Sequence, residues 1–377
     1  MIVRSIELKN FRNFSQKKIE FCDSVNVVFG LNGQGKTNVL EAISVVSLSK
    51  SFRTVTDTDL IQFDNEGYQI TADFILNNGI EREVKVFYSK IIGKRITVDQ
   101  AKIKSIVEFF GLFPVVVLSP DDDVITTGPP QERRRFLNII LSQLDKEYLK
   151  HLQDYDRILK QRNRILQEAK ESRYKLAEKI EPWNKEFFEK AIEITKKRKE
   201  FIIKLQDIIR PIYQELTSFL EQIEIKYKPS FDLNWSEYSD FKNNIQKHMN
   251  EEILRGTTII GPHRDEILFL MNGYELRSFG SRGQHRSLLL ALKITAYKML
   301  RERLGETPIF LLDDVYSEID EVREKAFNDY FFDLGQVFIT THEKDIRFEL
   351  ADEFKKEIKY IHIENNCLSI DEEKMSG

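Results

Sequence analysis

Gly30-Leu31-Asn32-Gly33-Gln34-Gly35-Lys36-Thr37 matches the pattern G-x-x-x-x-G-K-[ST], which forms phosphate-binding loops. A β-rich run from Ser24 to Phe29 precedes it and a helical run from Asn38 to Ile43 follows, as the pattern requires. Glycines let consecutive backbone N–H groups wrap a phosphate at the positive end of the helix. The sequence therefore predicts a nucleotide site in which Lys36 reaches the β- and γ-phosphates and Thr37 is a Mg²⁺ ligand. The residues assigned to this loop are Gly30, Asn32, Gly33, Gln34, Gly35, Lys36, Thr37 and Asn38.

A second candidate motif, which is acidic, lies more than 270 residues after the glycine-rich loop. Ile309 to Asp314 is an apolar strand that ends in two carboxylates, a pattern that is common when taken alone. Beside the glycine-rich loop, it predicts that Asp313 holds Mg²⁺ through water and that Asp314 either acts as the general base or polarises the attacking water. The long separation exceeds that of a compact kinase or GTPase, so a large segment is inserted between the two elements.

Two stretches in the last third of the chain resemble further motifs of ABC-type ATPases. Ser281-Arg282-Gly283-Gln284 opens a predicted helix and resembles the signature motif, although taken alone it would be better explained as a serine-glycine helix cap. Thr340-Thr341-His342 ends the strand after Asp314 and resembles the switch histidine, which makes His342 a candidate γ-phosphate sensor. We therefore assign His342, Lys36 and Asp314 as the candidate catalytic residues. The signature residues assigned to nucleotide binding are Ser281, Gly283 and Gln284.

Two loops complete the set of motifs. Ser317-Glu318-Ile319-Asp320 resembles the D-loop of ABC-type ATPases. Asn10-Phe11-Arg12-Asn13-Phe14 resembles the N-terminal loop with which SMC-type heads contact nucleotide phosphates, so Arg12 is a candidate contact. An ordinary surface turn is the alternative for this last stretch.

The pattern along the chain indicates one lobe interrupted by another. Tyr68 to Leu76, Ile80 to Tyr88 and Arg95 to Asp99 predict an antiparallel meander, and Gly128-Pro129-Pro130 marks a break. Helical spacing then runs from Gln131 to about Lys228, and a β-rich pattern resumes after the insertion. We therefore predict an α/β fold with a discontinuous ABC/SMC-type P-loop ATPase lobe, residues 1–128 and 255–377, and an inserted, mainly helical lobe, residues 129–254.

Composition excludes several classes of protein. No apolar run approaches the roughly 18 residues of a membrane helix, so we expect no membrane span. Cys22 and Cys367 stand far apart without the spacing of metal ligands, which fits a reducing cytoplasm. The net charge of −4 is not typical of a nucleic-acid binder, but residues 131–250 carry 25 Lys and Arg against 20 Asp and Glu. A solvated helical surface also explains that local excess.

Several stretches together resemble the RecF family of SMC-like ABC ATPases, and the likeness covers nearly the whole chain. They are Leu8 to Phe14, Lys50-Ser51-Phe52-Arg53-Thr54, Leu118-Ser119-Pro120-Asp121-Asp122, Glu132-Arg133-Arg134-Arg135-Phe136-Leu137, Gly261-Pro262-His263-Arg264-Asp265, Ser281 to Arg286, and Leu311 to Asp320. The resemblance implies a cytoplasmic, weak, DNA-stimulated ATPase that uses ATP and Mg²⁺. It implies ATP-dependent dimerisation, with the signature residues facing the nucleotide of the opposite subunit. It also implies DNA binding in replication and gap repair beside RecO and RecR, and support of the SOS response to DNA damage.

Two departures from the usual ABC pattern stand out. Ser119-Pro120-Asp121 occupies the position of the Q-loop glutamine, and Arg282 replaces a glycine of the signature motif.

The sequence leaves several functional alternatives open. The DNA that is bound is single-stranded, double-stranded or a junction. Two other functions remain alternatives: the ATPase subunit of a transporter, and a structural clamp that does not hydrolyse ATP. The long insertion argues against the first, and the paired carboxylates argue against the second.

Overall fold

The computed structural model describes residues 1–217, 221–231, 238–314, 330, 333–342, 357–364 and 367–371. Among these residues, none of the helices combines the length and the apolar character needed to cross a bilayer. The predicted loop Ser317 to Asp320 lies outside the described residues.

The described chain alternates between strands and helices. The strands are β1 (Ile2–Phe11), β2 (Phe14–Glu20), β3 (Val25–Phe29), β4 (Gly67–Ile75), β5 (Glu81–Ser89), β6 (Gly93–Val98), β7 (Ala101–Lys102), β8 (Val115–Leu118), β9 (Ile223–Lys228), β10 (Glu266–Met271), β11 (Tyr274–Glu275), β12 (Ile309–Asp313), β13 (Val337–Thr341), β14 (Ile358–Glu364) and β15 (Cys367–Asp371). The α-helices are α1 (Lys36–Leu48), α2 (Ile106–Phe109), α3 (Val124–Thr127), α4 (Pro130–Leu144), α5 (Lys146–Glu168), α6 (Leu176–Leu216), α7 (Tyr238–Arg255), α8 (Leu276–Phe279) and α9 (Arg282–Leu304). Short 3₁₀ helices span Asp57–Leu60, Pro120–Asp123 and Pro262–Arg264.

The chain divides into two compact units. The first comprises Met1–Asp123, Glu215–Ser218 and Ser287–Gly377, and the second comprises Val124–Gln214 and Phe219–Arg286. The first unit contains two six-stranded sheets. One has the order β2-β1-β4-β5-β6-β7 and is antiparallel throughout, which confirms the predicted meander.

The other sheet of the first unit has the order β15-β14-β3-β13-β12-β8. Its strands pair in parallel except for β15, which pairs antiparallel with β14. Strands β3, β12 and β13 are buried along their whole length, as expected for parallel strands covered on both faces. Helix α1 contacts strands of both sheets and is buried around nearly its whole circumference. The first turn of α1 is thereby fixed at the carboxyl end of β3.

The second unit is mainly helical but also contains a three-stranded sheet of order β11-β10-β9. Residues 255–286, which the sequence analysis assigned to the ATPase lobe, belong to this unit. The reason is strand pairing: β10 runs antiparallel to β9, from Glu266 opposite Lys228 to Met271 opposite Ile223. The predicted helical run also ends earlier, because residues 223–228 form β9. The first boundary, predicted at 128, falls between Asp123 and Val124.

A buried ion pair lies at the centre of the second unit. The Arg162 Nη2 donates to Glu252 Oε2 at 2.5 Å, and both side chains have no solvent exposure. The remaining guanidinium nitrogens donate to Asn184 Oδ1 at 2.8 Å and Thr258 Oγ1 at 2.7 Å. Each charged donor therefore has a partner, which burial of a guanidinium requires.

Replacement of Arg162 by leucine should destabilise the protein strongly. Arg162→Leu leaves the Glu252 carboxylate buried without its cation, so we expect the free energy of unfolding to fall by about 3–5 kcal/mol, measured by chemical denaturation. Arg164→Leu is the matched control, because Arg164 lies on the same helix, is exposed, and forms an exposed ion pair with Glu168. The control should change stability by roughly 0.5 kcal/mol or less. Equal effects of the two substitutions would contradict the assigned role of the pair.

Candidate functional site

The loop between β3 and α1 has the backbone geometry of a phosphate-binding loop. Gly30, Gly33 and Gly35 adopt φ values of 145°, 78° and 108°, a region that side chains disfavour. A Cβ atom at Gly30 would lie 2.3 Å from the Ile363 carbonyl oxygen, so no larger residue fits there. In the first turn of α1 the Asn38 N–H donates to the Gly35 carbonyl oxygen at 3.0 Å, and the N–H groups before it lie at the positive end of the helix dipole. The loop can therefore accept an anionic group.

Lys36 folds back over this loop. Its Nζ donates to the carbonyl oxygens of Gly30 at 2.7 Å and Leu31 at 3.2 Å, and it lies 3.3 Å from His342 Nδ1. Burial lowers the pKa of Lys36, while Asp314 and Asp313 oppose that effect. The structure thus brings together Lys36 and His342, two residues that the sequence analysis placed in one site.

Asp313 lies at the end of β12 and accepts hydrogen bonds from two hydroxyl groups. Thr37 Oγ1 and Thr340 Oγ1 each donate to Asp313 Oδ1 at 2.8 Å. Burial raises the pKa of Asp313, and the two hydroxyl hydrogen bonds counteract the rise. A desolvated carboxylate beside a threonine hydroxyl is a favourable environment for a cation.

The donor set at this point suits Mg²⁺. Thr37 and Asp313 offer hard oxygen atoms, and Asp314 Oδ1 is buried with no hydrogen-bond partner among the described residues. Among the described residues there is no group of three or more His, Cys, Asp or Glu side chains placed to hold a metal. Magnesium typically takes only one or two protein oxygens and completes its octahedron with water and phosphate oxygens. The residues present therefore fit this ion.

Asp314 has a left-handed backbone conformation, with φ of 54°. Its N–H donates to Thr340 Oγ1 at 2.8 Å, and its Oδ2 lies 2.7 Å from His342 Nε2. His342 therefore lies between Lys36 and Asp314. The three residues predicted to be catalytic form one connected group at the edge of the sheet.

Arg12 is held by Glu41, a fully buried residue of α1. Arg12 Nε and Nη2 donate to the two Glu41 carboxylate oxygens at 2.7 and 2.6 Å, and Nη1 donates to the Asp59 carbonyl oxygen at 2.8 Å. Ser51 Oγ donates to the same carboxylate at 2.6 Å. In this arrangement every guanidinium nitrogen of Arg12 already donates a hydrogen bond to the protein.

Sequence reasoning missed two residues beside the loop. Asn13 Nδ2 donates to the Gln34 carbonyl oxygen at 2.8 Å, and Asn13 Oδ1 accepts from Asn38 Nδ2 at 2.8 Å. Arg53 Nη1 donates to Asn38 Oδ1 at 3.3 Å, and the charge of Arg53 opposes the rise that burial causes in the pKa of Asp313. Both belong to stretches quoted above for their resemblance, but their spacing alone does not indicate contact with the loop.

The signature stretch caps α9 and belongs to the second unit. Ser281 Oγ accepts from the Gln284 N–H at 3.2 Å, and Gln284 Oε1 accepts from the Ser281 N–H at 2.7 Å, a reciprocal capping box. Gln284 Nε2 also donates to Glu221 at 2.7 Å. Ser281 and Arg282 are exposed, and Gly283 is half-buried. This helix N-terminus therefore faces solvent in the second unit.

The segment at the position of the Q-loop is held by its own hydrogen bonds and one ion pair. Residues Pro120–Asp123 form a short 3₁₀ helix. The Ser119 N–H donates to Asp122 Oδ2 at 2.9 Å, and Lys293 Nζ lies 2.9 Å from the same oxygen. Asp122 is thus tied to Ser119 and Lys293, while Asp121 is exposed.

Comparisons with known proteins agree on one family. The family model described as RecF/RecN/SMC N terminal domain matches residues 2–366. Proteins named DNA replication and repair protein RecF, from Bacillus cereus (strain AH820) and Bacillus thuringiensis (strain Al Hakam), are each 35% identical over 374 residues, covering 98% of this chain and 98% of the relative.

Solved structures extend the likeness to the fold. The recombination mediator protein RecF-ATPrS in the RecFOR pathway superposes with a TM-score of 0.88 at 31% identity, covering 98% of both chains. The RecF-ATP structure gives a TM-score of 0.87 at 31% identity, covering 98% of this chain and 97% of that one. An Smc head domain from Pyrococcus furiosus gives 0.54 at 14% identity, covering 98% and 95%, which supports the fold alone.

Loss of the Lys36 ammonium should weaken nucleotide binding. In Lys36→Met the β- and γ-phosphates lose a charged donor worth about 1.5–3 kcal/mol, so the Kd for ATP, measured by titration calorimetry, should rise by roughly 10- to 150-fold. Lys18→Met, on an exposed strand position, is the control for a lost lysine charge. We expect both variants to keep the wild-type circular dichroism spectrum. A folded Lys36→Met variant with wild-type affinity would refute the assignment.

Proposed function

Because the chain belongs to the RecF family, and with it to the RecF/RecN/SMC N terminal domain family, we propose that it is an ATP-dependent DNA-binding protein of recombinational and post-replication gap repair. ATP binding brings two copies together and creates the DNA site, and slow hydrolysis releases the DNA. The observation that carries the proposal is the connected group of Lys36, His342 and Asp314 beside Thr37 and Asp313, in a chain whose relatives are named DNA replication and repair proteins.

The glycine-rich loop binds the triphosphate. The N–H groups of the loop and of the first turn of α1 donate to the phosphate oxygens, and Lys36 exchanges its carbonyl contacts for the β- and γ-phosphates. Thr37 and Asp313 hold Mg²⁺, Thr37 directly and Asp313 through water. When bound, this ion neutralises charge on the β- and γ-phosphate oxygens.

Asp314 activates the attacking water. One carboxylate oxygen, Oδ1, is buried without a hydrogen-bond partner in the part of the chain that the structure describes and is available to accept the proton, while Oδ2 is held by His342. His342 senses the γ-phosphate, because it lies between the carboxylate and Lys36. Aspartate has a shorter side chain than the glutamate more common at this position, which agrees with weak, DNA-stimulated turnover.

Dimerisation places the signature stretch of one copy against the nucleotide of the other. Ser281, Gly283 and Gln284 supply a hydroxyl and a helix N-terminus, which together suit a γ-phosphate. Arg282 adds a positive charge to the same contact. Arg12 contacts a phosphate of the nucleotide, either while it stays paired with Glu41 or after it exchanges Glu41 for the phosphate.

The cellular role completes the proposal. The protein acts in the cytoplasm with RecO and RecR and supports SOS induction, in line with the solved relatives that are described as members of the RecFOR pathway. A transporter subunit would need a membrane partner. Ser119-Pro120-Asp121 and the second unit argue against that alternative, because transporters couple through the Q-loop glutamine.

Neutralisation of Asp314 should slow hydrolysis without loss of ATP. In Asp314→Asn, Asp313 still holds Mg²⁺ but the base is lost, so we expect the single-turnover rate to fall by about 10²- to 10⁴-fold and the ATP-bound dimer to accumulate. Asp333→Asn, at an exposed carboxylate paired with Arg301, serves as the control. Rapid-quench measurement of ADP formation decides the question. An unchanged single-turnover rate would show that Asp314 is not the base.

ATP should control both the association of the chain and its affinity for DNA. We expect sedimentation velocity to show a dimer only with ATP and Mg²⁺, and fluorescence anisotropy across a salt series to show tight DNA binding only under the same conditions. Ser281→Arg should bind ATP as a monomer but neither dimerise nor bind DNA tightly, because a bulky cation replaces a small hydroxyl. Ser172→Arg, at another exposed serine of the second unit, should behave as wild type. A Ser281→Arg variant that dimerises and hydrolyses ATP normally would overturn the proposed interface.

A further inference from the structure

Three consecutive arginines in the first half of α4 have different environments. Arg133 is buried, donates to the Gly128 carbonyl oxygen at 2.9 Å, and forms an ion pair with Glu266 at 2.6 Å. Arg135 is exposed and lies 3.8 Å from Glu132 on its own helix. Arg134 donates through Nη1 to the carbonyl oxygen of Asp265 at 2.7 Å. Arg133 is therefore a structural anchor, whereas Arg134 forms no ion pair among the described residues.

The carboxylates nearest to Arg134 are already neutralised by other cations. The side chain of Asp265 is buried and accepts from Arg198 at 3.0 Å, from the Ser230 N–H at 2.8 Å, and from the Tyr227 hydroxyl. The Glu266 carboxylate is paired with Arg133. Neither carboxylate is left to balance the charge of Arg134.

Two exposed cations lie on the segments beside Arg134. Arg264 precedes Asp265 in the chain and donates to the Thr258 carbonyl oxygen at 3.3 Å. Lys228 ends β9 directly opposite Glu266, so both side chains project from the same face of the sheet. Within the described part of the chain neither cation forms an ion pair. The neighbouring carboxylate Glu266 is committed to Arg133.

Burial and charges of both signs act on the Arg134 guanidinium. Burial lowers the pKa of Arg134, as do the charges of Arg198 and Arg264, against the opposing effect of Asp265 and Glu266. His263 adds no charge near neutral pH, because burial lowers its pKa to about 4. The paired residues cancel one another, and the charges of Arg134, Arg264 and Lys228 remain.

We propose that Arg134, Arg264 and Lys228 form a phosphate-binding patch on the second unit that takes the sugar-phosphate backbone of duplex DNA. The carbonyl contacts fix one edge of each guanidinium group and leave other N–H groups to donate to phosphate oxygens. Contacts of this kind position a protein on DNA without reading its bases, so the patch binds without sequence preference. The proposal rests on the proposed function, since it assigns residues to the DNA contact.

The test compares paired charge removals on the same unit. The variant Arg264→Gln with Lys228→Gln changes only exposed side chains, and its matched control is Arg157→Gln with Arg164→Gln, two exposed arginines of α5. A second variant adds Arg134→Gln to the first pair. Binding of a fluorescein-labelled duplex is measured with ATP and Mg²⁺ from low to high salt, and thermal unfolding and ATP affinity are measured alongside.

Loss of two phosphate contacts should flatten the plot of log K against log salt by about 1.8, so that over one decade of salt concentration the wild type loses roughly 60-fold more affinity than the variant. Addition of Arg134→Gln should flatten it by about 0.9 more. The control should keep the wild-type slope, and all variants should keep wild-type ATP affinity. If Arg134→Gln unfolds the protein, the pair at Arg264 and Lys228 still decides the outcome.

Three other outcomes would refute the proposed patch, and they differ in whether the proposed function is refuted with it. A wild-type protein that binds duplex with ATP, beside an Arg264→Gln and Lys228→Gln variant of unchanged slope, refutes the patch and leaves the proposed function intact. An equal loss in the control variant also refutes it, because the effect would then follow total charge. A wild-type protein that binds no duplex in the presence of ATP refutes both.

Discussion

The carboxyl ends of parallel neighbouring strands must meet at one edge of a sheet, and the candidate site depends on this constraint. In the ladder between β12 and β13, Asp313 lies opposite Thr340, and in the ladder between β13 and β3, Thr341 lies opposite Phe29. The next residues, Asp314, His342 and Gly30, therefore leave the sheet at nearly the same level. The residues that follow these three strands are distant in sequence, but the strand register places them side by side.

Sequence alone was sufficient for the parts of the site that local chemistry determines. The positive φ values of Gly30, Gly33 and Gly35 are required by the loop itself, so a short pattern reveals them. The same holds for Asp313, whose place at the end of an apolar strand is visible in the residues around it. The antiparallel meander also follows from alternation along each strand.

What the sequence did not reveal depends on contacts between distant segments. The turn at Asn272-Gly273 indicates a hairpin, but nothing local states that β10 pairs with β9 and so belongs to the second unit. Asn13 and Arg53 reach the loop only because α1 and its neighbours place Asn38 between them. The consecutive arginines of α4 show the same limit: adjacent residues of one type on a helix point in different directions, and only the surrounding fold decides which is buried.

The contacts of Lys36 with its own loop have a consequence for the heat of nucleotide binding. The ammonium group donates to two carbonyl oxygens of its own loop. A phosphate that recruits this group replaces hydrogen bonds rather than adding them, and the enthalpy measured by calorimetry is the difference between the two sets. The Gly30 and Leu31 carbonyl groups released in the exchange must find other donors or water. Much of the electrostatic attraction between Lys36 and the phosphates therefore does not appear in the measured enthalpy.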